Sequence, residues 1–152
     1  MMMMQGYLTQ AHEITEQIKD NKIDIIFLQT GVGSWAASII MYLLSFWKTA
    51  PLFVSVEPHS ANCLFKSIQS AKRISVKNDE TTAMAGLDCG TVSTEAWKIL
   101  KYGIYGALSI SDILMEDAVR VFANPIQNDI QIISGESGAS PLAALIGLVK
   151  SA

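Results

Sequence analysis

The sequence predicts an α/β protein built on an open parallel sheet with helices on both faces. Three observations carry that reading. Short, nearly all-apolar, β-branched runs recur along the chain: "IDIIFLQ" (23–29), "PLFVSVEP" (51–58), "GALSIS" (106–111) and "IQIIS" (130–134). Strands buried on both faces of a parallel sheet have this composition. Segments with helical spacing of apolar residues lie between them, and such alternation argues for a parallel sheet. The length of 152 residues fits one domain, able to bury roughly 70% of its unfolded surface. No repeat, linker or internal boundary interrupts the chain.

Each element has its own local reason. Over residues 7–19, Leu8, Ala11, Ile14 and Ile18 recur at helical spacing, and "DNK" breaks the pattern. The first strand, Ile23 to Gln29, runs into the turn Thr30-Gly31-Val32-Gly33-Ser34. A helix follows over Trp35 to Trp47, the longest apolar stretch. It is too short to span a bilayer, which takes about 20 residues. Pro58 ends the second strand, and Ser60 is placed to cap a helix over 60–71. "RISVK" (73–77) is short and strand-like, whereas 79–93 is rich in Gly, Thr and Ser and reads as loop. Thr94 and Gly103 bracket the next helix. After the strand "GALSIS", Ser111 or Asp112 caps a helix that Pro125 ends. The buried strand "IQIIS" then leads through "GESGAS" into a last helix, with Pro141 in its first turn.

Composition excludes several functions. The chain is 50% hydrophobic and 16% charged, with a net charge of −3 and no long charge runs. Neither nucleic acid nor a membrane surface is an expected partner. "MMMMQGY" lacks the parts of a secretory signal. Cys63 and Cys89 make no disulfide framework and no zinc site. His12 and His59 share no metal-ligand spacing and read as exposed structural residues. These features fit a cytoplasmic protein.

Three motifs carry chemistry. In Thr30–Ser34, glycines between a strand and a helix let an anion approach backbone N–H groups at a helix N-terminus. A ligand-free turn fits the same residues. The third glycine of a dinucleotide fingerprint and the Lys of a P-loop are absent. In "SGESGAS" (134–140), a second ligand turn at a strand's carboxyl end is open to the residues, but capping is their commoner role. In "AGLDCG" (85–90), Asp88 and Cys89 are reactive types, but turn and core roles are commoner.

Taken in order, "MQGYLT", "FLQTGVGS", "VSVEP", "AGLDCG" and "IISGESGA" resemble the diaminopropionate ammonia-lyases. These are pyridoxal-phosphate enzymes of the fold type II group, related to threonine dehydratase and the tryptophan synthase β chain. The resemblance covers nearly the whole chain. It implies that the chain is part of the larger, cofactor-anchoring domain. Gly31, Val32, Gly33 and Ser34 then cradle the cofactor phosphate, with Thr30 beside it. Gly86 passes near the cofactor ring. Ser137 faces the pyridine nitrogen, where a hydroxyl bonds the ring without forcing its protonation. The implied reaction is β-elimination of 2,3-diaminopropionate to pyruvate and ammonia, by a homodimer acting on a small amino acid. Cys63 and Cys89 match cysteine positions of the family. Both a disulfide between them and two separate reduced thiols remain open.

Family members are much longer. The resemblance places the Schiff-base lysine, the acidic residue of proton abstraction and the loop that grips the substrate carboxylate upstream of "MQGY". It places further sequence after "LVKSA". The expectation is that this chain alone forms no pyruvate. A serine or threonine dehydratase, or a non-catalytic phosphate-binding domain, are the alternatives.

Overall fold

The computed structural model describes residues 2–18, 22–77 and 80–151. Three strands form one parallel sheet in the order β1 (Ile25–Gln29), β2 (Leu52–Pro58), β3 (Ile104–Ile110). Among the described residues six α-helices pack around it: α1 (Met2–Ile18), α2 (Ser34–Phe46), α3 (Cys63–Gln69), α4 (Thr94–Gly103), α5 (Asp112–Ala123) and α6 (Glu136–Ser151). Side chains alternate across each strand, so the apolar runs feed two cores. Leu28 and Phe53 join Ile39, Ile40 and Leu43 of α2, Leu64 of α3 and Leu100 of α4 in one. Phe27, Val56 and Ile110 join Met115 and Ala118 of α5 and Ala139 and Ala143 of α6 in the other. The expected α/β sheet with helices on both faces is what the residues build.

Four local expectations are corrected. Residues 130–134 form no strand, and Ile130 and Ile133 are each 84% exposed. A strand needs a partner for its backbone, and none lies beside this segment among the described residues. Its ties run instead to the end of α5, through Ile132 N to Phe122 O at 2.9 Å and Gln131 Nε2 to Ala123 O at 2.8 Å. "RISVK" contributes only an isolated antiparallel bridge, Ser75 with Thr91. Pro141 is not in the first turn of α6, because the helix already begins at Glu136. "GESGAS" is therefore mostly helix. Ser60 caps nothing: it lies in a 3-10 turn, His59–Ala61, and α3 starts at Cys63.

The cap of α3 comes from the strand before it. Glu57, fully buried at the end of β2, accepts hydrogen bonds from Leu64 N at 2.8 Å and Phe65 N at 2.6 Å. A carboxylate suits a helix N-terminus, whose first N–H groups lack partners and carry partial positive charge. Burial nevertheless raises Glu57 to a pKa of about 7, against the pull of those two donors and of Cys63.

Candidate functional site

The site begins where β1 ends. Thr30 is buried, donating its N–H to Val56 O at 2.9 Å and its hydroxyl to Leu28 O at 3.0 Å. It anchors the chain as it leaves the sheet. At Gly31 a Cβ would lie 2.9 Å from Gly86 O and 3.0 Å from Cys89 Sγ, so a larger residue would push the two loops apart. Gly33 has φ +87 and is the N-cap of α2, with no side chain bonded to the helix end. A left-handed residue is needed here, and a Cβ would come within 2.5 Å of Leu100 Cδ1. The first-turn N–H groups of α2 have no intrahelical acceptors, and their dipoles favour an anion.

A second wall comes from residues 82–89. Asp112 at the start of α5 holds this loop, accepting from Thr82 Oγ1 at 2.6 Å and Ala83 N at 2.8 Å. The loop makes a 3-10 turn at Ala85–Leu87. Its Gly86 N donates to Ser137 Oγ, in the first turn of α6, at 3.1 Å. Between the walls lies a cavity of about 400 Å³. Gly31, Val32, Gly33, Ser34, Gly86 and Ser137 all line it, together with Gln29, Trp35, Ala36, Leu87 and Cys89. Both sequence turns thus meet at one cavity, although the second follows no strand. Thr30 is not in the lining, and neither is Asp88.

One wall was not anticipated. Tyr7 and Gln10 of α1 also line the cavity, and Trp35 Nε1 donates to Gln10 Oε1 at 2.7 Å. Tyr7 and Gln10 stand three residues apart, so they share a helix face. That spacing was visible in "GYLTQ"; what the face meets was not. His12 and His59 are exposed and each pairs with a hydroxyl, Tyr42 OH at 2.9 Å and Ser109 Oγ at 2.8 Å.

The cysteines are free thiols. Burial, reinforced by the Glu57 charge and by a Cys63 Sγ to Glu57 Oε1 hydrogen bond of 3.6 Å, pushes Cys63 up to about 12. Cys89 is also raised, first by burial, while a hydrogen bond with Val32 backbone opposes the shift. Cys89 stands in the cavity wall. Among the described residues no His, Cys, Asp and Glu cluster could hold a metal ion, and no helix is long and apolar enough to cross a membrane.

The chain is similar to known proteins in sequence and fold. The chain is 37% identical over 145 residues to the diaminopropionate ammonia-lyase of Escherichia coli K12, covering 93% of this chain and 36% of that protein. The Salmonella typhimurium enzyme of the same name is 36% identical over 155 residues, covering 97% of this chain and 38% of that protein. The chain therefore spans little more than a third of the length of these curated relatives. The crystal structure of holo diaminopropionate ammonia lyase from Escherichia coli superposes with a TM-score of 0.87 at 34% identity, over 95% of this chain and 36% of that one. The threonine deaminase of T.th. superposes with a TM-score of 0.84 at 19% identity, over 97% of this chain and 51% of that one, a likeness of fold alone. Residues 1–152 match the family described as pyridoxal-phosphate dependent enzyme throughout, and the chain belongs to that family.

Proposed function

We propose that the chain is the cofactor-anchoring part of a pyridoxal-phosphate-dependent ammonia-lyase, whose full-length form converts 2,3-diaminopropionate to pyruvate and ammonia. The observation that carries this reading is the convergence of the α2 N-terminus, the Gly86 turn and Ser137 on one cavity. The residues fit the group. Gly31 lets the Gly86–Cys89 loop approach the start of α2, and Gly33 lets the chain turn at φ +87 against Leu100 into that helix, whose unpaired N–H groups and dipole favour a phosphate. The volume, about 400 Å³, lies in the range of small-molecule sites. Identity above a third to two diaminopropionate ammonia-lyases supports the substrate. The threonine deaminase structure, at 19% identity, gives that alternative no separate support.

The bound cofactor supplies an electron sink for the charge that develops at the substrate Cα. The chain's own residues hold and orient it. The α2 N-terminus binds the phosphate, and Ser34, 8% exposed in the cavity wall, closes one side of the cradle. Ser137 Oγ accepts from Gly86 N, which leaves the hydroxyl proton to be donated to an acceptor in the cavity. A ring nitrogen held there would accept that hydrogen bond without being forced into protonation, which would suit elimination.

Ser137→Ala in the full-length enzyme is expected to keep the cofactor bound but slow elimination by up to about tenfold, the worth of one hydrogen bond. Pyruvate formation from 2,3-diaminopropionate, resolved into kcat and KM, is the check. An unchanged kcat would remove Ser137 from the mechanism. No pyruvate at all from the unaltered full-length enzyme would reject the proposed substrate.

A further inference from the structure

Ser137 is held from two sides. Its hydroxyl oxygen accepts from Gly86 N at 3.1 Å, and its carbonyl oxygen accepts from the Ser140 hydroxyl at 2.9 Å. The second bond has a cause in the sequence. In a regular α-helix the carbonyl of residue 137 accepts from the N–H of residue 141. Residue 141 is a proline inside α6, and proline has no N–H. The turn before it is regular, with Ala139 N donating to Gly135 O at 3.0 Å. Only the Ser137 carbonyl loses its backbone donor, and the fully buried Ser140 hydroxyl replaces it.

The other side is equally constrained. A Cβ at Gly86 would lie 3.0 Å from Ser137 Oγ, so the amide reaches the hydroxyl because residue 86 has no side chain. A small shift of the first turn of α6 would break that contact and change what Ser137 presents to the cavity.

We infer that Ser140 is a positioning residue for Ser137, its hydroxyl supplying the hydrogen bond that Pro141 cannot and so fixing the first turn of α6 against the Gly86 loop. The functional meaning of this device rests on the proposed reading of the cavity as a cofactor site; the device itself does not. Ser140 is fully buried and outside the cavity lining, so it acts only through Ser137.

The test is a cycle of three variants of this chain: Ser140→Ala, Pro141→Ala and the double variant. The first readout is hydrogen exchange at the Gly86 amide. Ser140→Ala is expected to speed that exchange by about tenfold, as loss of one hydrogen bond would. The double variant is expected to restore it, because an alanine in place of Pro141 brings back the backbone N–H. Pro141→Ala alone leaves it unchanged. The second readout is the affinity for pyridoxine 5′-phosphate, followed by tryptophan fluorescence with Trp35 in the cavity wall. It is expected to weaken and recover in the same pattern. Unchanged Gly86 exchange in Ser140→Ala, equal acceleration across all core amides, or no recovery in the double variant would overturn the inference. If the unaltered chain binds no pyridoxine 5′-phosphate, the cofactor reading falls, and Gly86 exchange still decides the role of Ser140.

Discussion

Gly33→Asp is expected to abolish binding of a phosphate-bearing ligand, weakening it by at least about a hundredfold. Two effects add. The first is steric: φ at Gly33 is +87, and any Cβ there meets Leu100 Cδ1 at 2.5 Å. A left-handed conformation costs a residue with a side chain about 1–2 kcal/mol, and Leu100 must also move. The second is electrostatic. A carboxylate at the helix N-cap takes the favourable end of the dipole and repels the phosphate, by about 4 kcal/mol for unit charges 4 Å apart near a protein surface. Gly33→Asn separates the two, since it has the same shape, tolerates left-handed backbone better and has no charge. Both variants are expected to melt earlier than the unaltered chain. Only the aspartate should lose the ligand almost completely. Equal affinities in the two variants would show that α2 makes no electrostatic contribution to binding.

Glu57 governs the second large effect, on stability. Its folded-state pKa is raised from 4.5 to about 7 by burial. The folded protein therefore holds this proton more tightly than the unfolded chain between those values. Stability from this group is fully present below pH 4.5 and is lost as pH rises through 7. A shift of this size amounts to roughly 3 kcal/mol. Glu57→Gln removes the titration while its amide oxygen can still accept from the Leu64 or Phe65 N–H. Urea unfolding of both proteins from pH 5 to 8 is the check. The difference between the curves cancels the groups they share and should narrow, or change sign, in favour of the glutamine variant as pH rises. Parallel curves would contradict the assignment of a raised pKa to Glu57.

Much of the fold was legible because its strands are near-continuous apolar runs with helices packed on both sides, although Ile25, Leu52 and Tyr105 stay exposed. "IDIIFLQ", "PLFVSVEP" and "GALSIS" read as strands, and β1, β2 and β3 fall on them, β3 starting two residues earlier at Ile104 and ending at Ile110. The same criterion misled at 130–134. Composition reports what a segment is able to pair with, while pairing needs a second strand, and no described residue supplies one. Proline misled in a related way. Pro141 marks a first turn in most helices because its missing N–H costs nothing there; Ser140 removes the cost deeper in α6, and that compensation depends on a side-chain rotamer.

The glycine turn of the candidate site was legible because φ > 0 and close backbone approach both demand glycine, at Gly33 and Gly31 respectively. Its partners were less so. Gly86 and Ser137 are 51 residues apart in sequence yet hydrogen-bonded, and only the resemblance placed them at one site. The α1 wall, Tyr7 and Gln10, and the capping role of Glu57 depend on how elements pack. An acidic residue closing an apolar strand was the one visible hint for Glu57.

The most direct test is whether the cavity holds a phosphate. The 152-residue chain is titrated with pyridoxine 5′-phosphate and, separately, with pyridoxine, and its tryptophan fluorescence is recorded. Neither compound has the aldehyde that would react with surface lysines. The expected result is a saturable change with the phosphate ester that inorganic phosphate competes away, and a far weaker response to pyridoxine. Equal responses to the two compounds, or none to the phosphate ester, would contradict the reading of the α2 N-terminus as a phosphate cradle.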